Sequence, residues 1–330
     1  SITGNKAVSG GGVYIEDSDN AKDSEFTLMG GTISNNTATG TSAALDTMGG
    51  GGGVYVKGNA LFWLAGGTVS TNTATRGAGG GVLVNGNPNH DPDGAGGNDS
   101  HEDGFLMSGG TISGNRAPAG VYPHGGGGVY VLRGAFEMLG GSITGNHSNR
   151  QGGGVFVHWG DGTRQPRFTA SGNSLITGNE GVGSSKAICN RGRTELIGSA
   201  QADTVYVWDY DDAAITDQSF TLGGNARIGG LVLAYSEDNK NYLTIATAGI
   251  TGSDQICRID LEGHLTGGLF KDFTPDSDWV GKQLIKDTGS TLASLVSGKR
   301  IVLGTFTGSK TIYLTDYSIE VSGAVGRLKH

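Results

Sequence analysis

Phe105-Leu106-Met107-Ser108-Gly109-Gly110-Thr111-Ile112-Ser113-Gly114-Asn115 returns 31 residues later as Phe136-Glu137-Met138-Leu139-Gly140-Gly141-Ser142-Ile143-Thr144-Gly145-Asn146. The block is an apolar-x-apolar run, a glycine pair, a Thr/Ser-Ile/Val-Ser/Thr triplet and an asparagine. It also runs from Phe26 to Asn36 and from Leu61 to Asn72, and partial copies end at Asn5 and Asn179. A second block alternates with it, a glycine run followed by an apolar triplet. The triplets are Val13-Tyr14-Ile15, Val54-Tyr55-Val56, Val82-Leu83-Val84, Val129-Tyr130-Val131 and Val155-Phe156-Val157. Successive block-ending asparagines are 31, 36, 43, 31 and 33 residues apart. Each period holds three strands too short to bury a core alone, so each must stack on its equivalents in neighbouring periods. This predicts an all-β parallel β-helix with about three strands per coil. A helical solenoid would need 3.6-residue patterning, which is missing, and a propeller blade needs four strands and roughly 40 residues or more.

The residue types fit that geometry. Alternation within Thr-Ile-Ser points Ile33, Val69, Ile112 and Ile143 inward and the flanking hydroxyls outward. The asparagines are expected at the bends, where Asn tolerates positive φ and its amide reaches a like amide one coil away, about 4.8 Å distant. Glycine pairs and triplets allow sharp corners. Stacked Phe/Leu at 26, 61, 105 and 136 are expected to form an interior ladder.

Composition agrees. Of 330 residues 63 are glycine and 6 proline, with no Gly-X-Y period, which excludes collagen. Hydrophobic residues at 35% in regularly spaced runs argue against a disordered linker, and 16% charge argues against a helical bundle or coiled coil. No run of 18 apolar residues exists to form a membrane-spanning helix. Glycine is unevenly distributed, with 44 of the 63 in residues 1–182. The chain therefore divides into regular repeats (1–182) and degenerate coils with a β-rich C-terminal capping region (183–330). A separate domain from about 235 is the alternative. A net charge of −8 argues against nucleic acid as a partner. Cys189 and Cys257 are read as small buried hydrophobes rather than a disulfide. Opening on Ser1 inside a repeat suggests a mature piece of a longer precursor.

The Gly-Gly-Gly-Val-Tyr-Val and Gly-Gly-Thr-Ile-Ser-Gly-Asn blocks resemble the glycine-rich β-helix repeats of large bacterial surface proteins, common in spirochaetes and gut bacteria. The resemblance covers residues 1–182 well and the remainder loosely. A more distant similarity is to chlamydial polymorphic membrane proteins, whose Gly-Gly-Ala-Ile and Phe-x-x-Asn motifs this chain does not carry. The resemblance implies a right-handed parallel β-helix at the cell surface or secreted. It transfers no catalytic residue.

Two segments carry candidate chemistry. Residues 85–104 place Asp91, Asp93, Asp99, Glu102 and Asp103 beside His90 and His101. Carboxylates suit Ca2+, the only cofactor suggested, while the imidazoles favour a transition metal. The alternative is a solvated acidic loop. Trp208-Asp209-Tyr210-Asp211 joins aromatic rings to carboxylates, as a glycan site would, although a strand edge entering a polar loop reads the same way. His158-Trp159-Gly160-Asp161 leaves its strand similarly, and Asp17, Asp19, Asp23 and Glu25 form another acidic insertion. Outward hydroxyl pairs such as Thr32/Ser34 and Thr111/Ser113 resemble ice-binding solenoids, though Ser and Thr are mixed where a methyl lattice would favour Thr. Because charge is confined mainly to insertions, paired-carboxylate catalysis lacks a rigid platform. The expected function is non-enzymatic: an extracellular or cell-surface stalk, adhesin or fibre. Its expected partners are further coils of the same kind, a host ligand or a glycan. The alternative is a polysaccharide lyase or glycoside hydrolase acting on an acidic glycan.

Overall fold

The computed structural model describes residues 1–18, 24–40, 49–87, 104–119, 125–159, 165–183, 185–208 and 219–233, and beyond these seven strands between residues 243 and 329. The described residues are all strand and turn, wound into a parallel β-helix. A regular coil has four faces. The coil beginning at Val54 runs through Val54–Gly58, Leu61–Leu64, Thr68–Ser70 and the two-residue strand Thr73–Ala74 before the next glycine triplet. Every face pairs in parallel with its equivalents: Val13, Val54, Val82, Val129 and Val155 follow one another in register, as do Ile2, Ile33, Val69, Ile112, Ile143 and Ile176. The fourth face was not read from sequence, because two residues carry no periodicity. It is a corner sheet, Lys6–Ala7, Thr37–Ala38, Thr73–Ala74, Arg116–Ala117 and His147–Ser148.

Three inward ladders hold the coils together. The first is aromatic. Phe26, Phe62, Phe105, Phe136 and Phe168 stack in sequence with centroids 5.9, 4.9, 4.4 and 4.7 Å apart. Leu61 was expected in this ladder. Pairing of Leu61 with Glu25 and of Phe62 with Phe26 moves the inward position by one residue, and a one-residue shift changes the face. Each of the four buried rings, Phe62, Phe105, Phe136 and Phe168, contributes about 1.5–3 kcal/mol of burial and about 0.5–1.5 kcal/mol of stacking. The second ladder is the aliphatic column of the Thr-Ile-Ser face, with Ile33, Val69, Ile112, Ile143 and Ile176 fully buried and hydroxyls outside, as the alternation predicts.

The third ladder is polar. Asn5, Asn36, Asn72, Asn115, Asn146 and Asn179 form a continuous chain in which each backbone N–H and each Nδ2 donates to the Oδ1 of the next, at 2.9–3.0 Å. The same Nδ2 groups also donate to carbonyls of the preceding coil, Asn72 to Ile33 and Asn115 to Val69. Buried amides are satisfied on every side, which makes the row cohesive rather than costly. Amide-to-amide bonding matches expectation, but the bend does not reside at these residues. Positive φ falls one residue earlier, at Gly4, Asn35, Thr71, Gly114, Gly145 and Gly178. The ladder residue must keep its carboxamide pointed inward, so its neighbour takes the left-handed turn.

The glycine triplets are explained by the same ladder. In Gly79-Gly80-Gly81 the first residue turns at φ +66° and the second lies against the corner-strand backbone of Arg116. A methyl on the third would lie 2.6 Å from the Gly128 carbonyl and 3.0 Å from Nδ2 of Asn115. Each glycine thus has its own reason.

Past residue 183 the parallel register continues but the coil simplifies. Gln201–Val207 is one strand that pairs with Leu175–Thr177 through its first residues and with Ile188–Asn190 through its last. Arg227–Leu233 repeats this. Two faces that were separate have merged. Further on, Cys257–Leu261 pairs in parallel with Arg227–Leu233 and antiparallel with Ser309–Thr315, and antiparallel pairing continues in Arg300–Phe306 and in the hairpin of Ser318–Ser322 with Val325–Lys329.

Candidate functional site

The Val-Tyr-Val face carries the richest outward chemistry, and its register explains why. With the first and third residues of each triplet inside, the second points out and so does the residue after the third. The first outward column is Tyr14, Tyr55, Leu83, Tyr130, Phe156, Cys189 and Tyr206. Tyr14 and Tyr55 stack at 5.1 Å and 9°, but Tyr14 is 45% exposed whereas Tyr55, Leu83, Tyr130, Phe156 and Cys189 are buried in a second apolar cluster with Ala78 and Leu132. Burial raises the Tyr55 hydroxyl above its ordinary range, opposed by the amide bond from Asn85. Cys189 is a free thiol whose pKa burial pushes far up, in keeping with an inert packing residue.

The next column is polar. It starts with Glu16, Lys57 and Asn85, and after a shift in register between Val84 and Asn85 continues through Arg133. Lys57 Nζ donates to Glu16 Oε1 at 2.6 Å, and the Tyr14 hydroxyl donates to Glu16 Oε2 at 3.1 Å. The Lys57 bond chiefly lowers the Glu16 carboxyl, and the same bond raises the Lys57 ammonium. Asn85 Nδ2 donates to the Tyr55 hydroxyl at 2.9 Å, and Arg133 Nη1 approaches Asn85 Oδ1 at 3.4 Å. One step further along the strands, Asn87 Nδ2 donates to Asn59 Oδ1 at 2.8 Å and the Ser24 N–H to Asp17 Oδ2 at 2.9 Å. Glu16, Asp17, Lys57, Asn59, Asn85, Asn87 and Arg133 are among the walls of a trough of about 440 Å³.

Farther along the solenoid the column turns aromatic and basic. His158, Arg191 and Trp208 follow the strands Val155–Val157, Ile188–Asn190 and Gln201–Val207, each held by a backbone bond to the coil before. The Arg191 guanidinium lies between two indoles, 3.9 Å from the Trp159 ring centroid and 4.3 Å from that of Trp208. His158 stacks on Trp159 at 3.5 Å. Both His158 and Arg191 are fully buried. Burial chiefly, then the charges of Arg191 and Arg133, push the imidazole well below its ordinary pKa, so it is neutral. Trp208 and Trp159, singled out separately in the sequence, thus meet through an arginine that sequence reading missed.

Asp209, Tyr210 and Asp211 lie outside the described residues, as do Asp91, Asp93, Asp99, Glu102 and Asp103 and hence the Ca2+ reading. Among the described residues no three His, Cys, Asp or Glu side chains converge as metal ligands. On the phenylalanine face burial raises the Glu195 carboxyl, opposed by Arg167. Sequence reading also missed Lys57 and Arg133, and took Asn85 and Asn87 only as the start of the insertion at 85–104. For Lys57 and Asn85 a signal existed: the residue after the strand triplet is Glu16, Lys57, Asn85, Leu132, His158, Arg191 or Trp208, an outward position without small residues. No family model, curated protein or solved structure matches the chain.

Proposed function

We propose that the chain is an extracellular or cell-surface β-helix with a structural and adhesive role, acting by contact rather than by turnover. The observation that carries this reading is how its outward polar groups are used. Glu16, Lys57, Asn85 and Arg133 bond to residues of neighbouring coils, so the face doubles as a seam along the solenoid. A general acid needs a carboxyl whose pKa is raised toward neutrality, and Lys57 moves Glu16 the other way. The regular coils repeat like residues at fixed steps, which suits a surface that is read along its length. Small-angle scattering and electron microscopy should show an elongated particle, and incubation with polygalacturonan should release no product. Turnover abolished by Asp209→Ala or Asp211→Ala would overturn the reading.

A further inference from the structure

We propose that the trough at the ends of Val13–Asp17, Val54–Gly58, Val82–Gly86 and Val129–Arg133 binds an uncharged oligosaccharide. The assignment deepens the adhesive reading of the same face and rests on it. At about 440 Å³ the trough has the size of a small-molecule site, and it crosses three strand steps, about 14 Å. Its charges cancel. Glu16 and Asp17 line it together with Lys57 and Arg133, and Glu16 is already paired with Lys57 at 2.6 Å. A metal ion would meet the two cations, and a phosphate or uronate the two carboxylates, so neither sign of ligand is favoured.

The rest of the wall is neutral and two-sided in its hydrogen bonding: Ser18, Asn59, Asn85 and Asn87. A carboxamide sets a donor beside an acceptor, which matches neighbouring sugar hydroxyls, each able to donate and to accept. The groups are also pre-set. Asp17, Asn59 and Asn85 are 6%, 8% and 4% exposed, and Asn85 and the Asn59–Asn87 pair are fixed by bonds between coils. Ordering them beforehand lowers the entropy lost on binding. Asn85 commits one of its two amide hydrogens to Tyr55.

Calorimetry and saturation-transfer NMR with maltotetraose, cellotetraose, mannotetraose, xylotetraose and N-acetylated chitotetraose test this, with tetragalacturonate and deacetylated chitotetraose as charged probes. At least one neutral tetrasaccharide should saturate near about 1 mM, with an affinity insensitive to ionic strength. Asn87→Ala and Lys57→Ala should each weaken it about tenfold with thermal unfolding only slightly lowered, since bonds this exposed hold about 0–1 kcal/mol, while Trp63→Ala on the phenylalanine face leaves it intact. The proposal is overturned if no neutral probe saturates, if a charged probe binds tightest and weakens with salt, or if both trough variants bind like the parent. An elongated, non-catalytic particle with a trough that fails these tests would remove the saccharide assignment alone. A compact particle or glycan turnover would remove the adhesive reading itself.

Discussion

Coils before and after residue 183 use the same interior but turn their corners differently. Ile143 pairs with Ile176 after 33 residues, whereas Ile176 pairs with Ala202, and Ala202 with Ile228, after 26 each. The longer coil contains a left-handed turn, a ladder asparagine, a corner strand and a glycine triplet between its Thr-Ile-Ser and Val-Tyr-Val faces. The coil from Ile176 still turns at Gly178 and Asn179 before Ile188–Asn190, and in the coil after it a single strand, Gln201–Val207, passes from one face to the other. The triplet is lost first, with Ser185-Lys186-Ala187 opposite Gly152-Gly153-Gly154, and the turn and the ladder asparagine are lost one coil later, where Gln201–Val207 runs straight through. The asparagine closes the turn, the corner backbone packs on the second glycine, and the third glycine clears the asparagine amide. At the junction Asp203 receives the Gly178 N–H at 2.7 Å and the Thr177 hydroxyl at 2.9 and 3.0 Å, capping the side where the regular coils stop. Glycine thins beyond residue 182 because the corner that required it is absent.

If the regular corner is held by its amide ladder, breaking that ladder should have the largest effect. Asn115→Ala removes the acceptor for both Asn72 donors and the donor to Val69 and Asn146, in the fully buried middle of the ladder. Each buried polar group left without its bond costs about 1–3 kcal/mol, so a loss of about 4 kcal/mol in chemical denaturation is expected. Asn5→Ala, at the exposed first position, should lose less than about 1 kcal/mol. Equal losses at the two positions would show that the ladder does not act through burial. The next effect is steric. Gly81→Ala puts a methyl group 2.6 Å from the Gly128 carbonyl and should cost about 2–3 kcal/mol through overpacking. Gly30→Ala meets nothing within 4 Å and needs no positive φ, so it should stay within about 0.5 kcal/mol. A similar melting shift in both would deny that the triplet glycines are sterically required.

The coil was legible because its three longer strands repeat at nearly constant spacing and alternate in polarity. What escaped had no such signal. The corner sheet is two residues deep, and Ala38, Ala74 and Ala117 are inward there without looking like a core. The position of the bend was misassigned because Asn35-Asn36 and Gly114-Asn115 look equally turn-like in sequence, and only the need to keep one amide inside separates their roles. Site residues were harder still. The trough is built from single residues 28 to 48 positions apart, such as Asn59 with Asn87 and Asn85 with Arg133, and stacking of coils is what brings them together. In the sequence the dense polar insertions stand out instead, because their charge is conspicuous while the scaffold is not.

The outward column extends the comparison. In the first two coils its members, Glu16 and Lys57, are solvent-accessible, with side chains 39% and 37% exposed. Next to the merged coils, His158 and Arg191 are buried. A buried neutral imidazole makes stability depend on pH with a definite sign. Its folded pKa lies below the ordinary 6.5, so the unfolded chain binds the proton more readily. Its contribution is fully present above about pH 6.5 and is lost as pH falls through that value toward the folded pKa. One proton taken up on unfolding gives a slope of at most about 1.4 kcal/mol per pH unit. His158→Phe keeps a ring against Trp159 and removes the proton. The difference in unfolding free energy between parent and variant should therefore be constant from pH 8 to about 7 and shift in favour of the variant as the solution is acidified below about 6.5. A difference that stays flat through that range would mean the imidazole is solvated, and that the outward column is as open beside the merged coils as it is at Glu16 and Lys57.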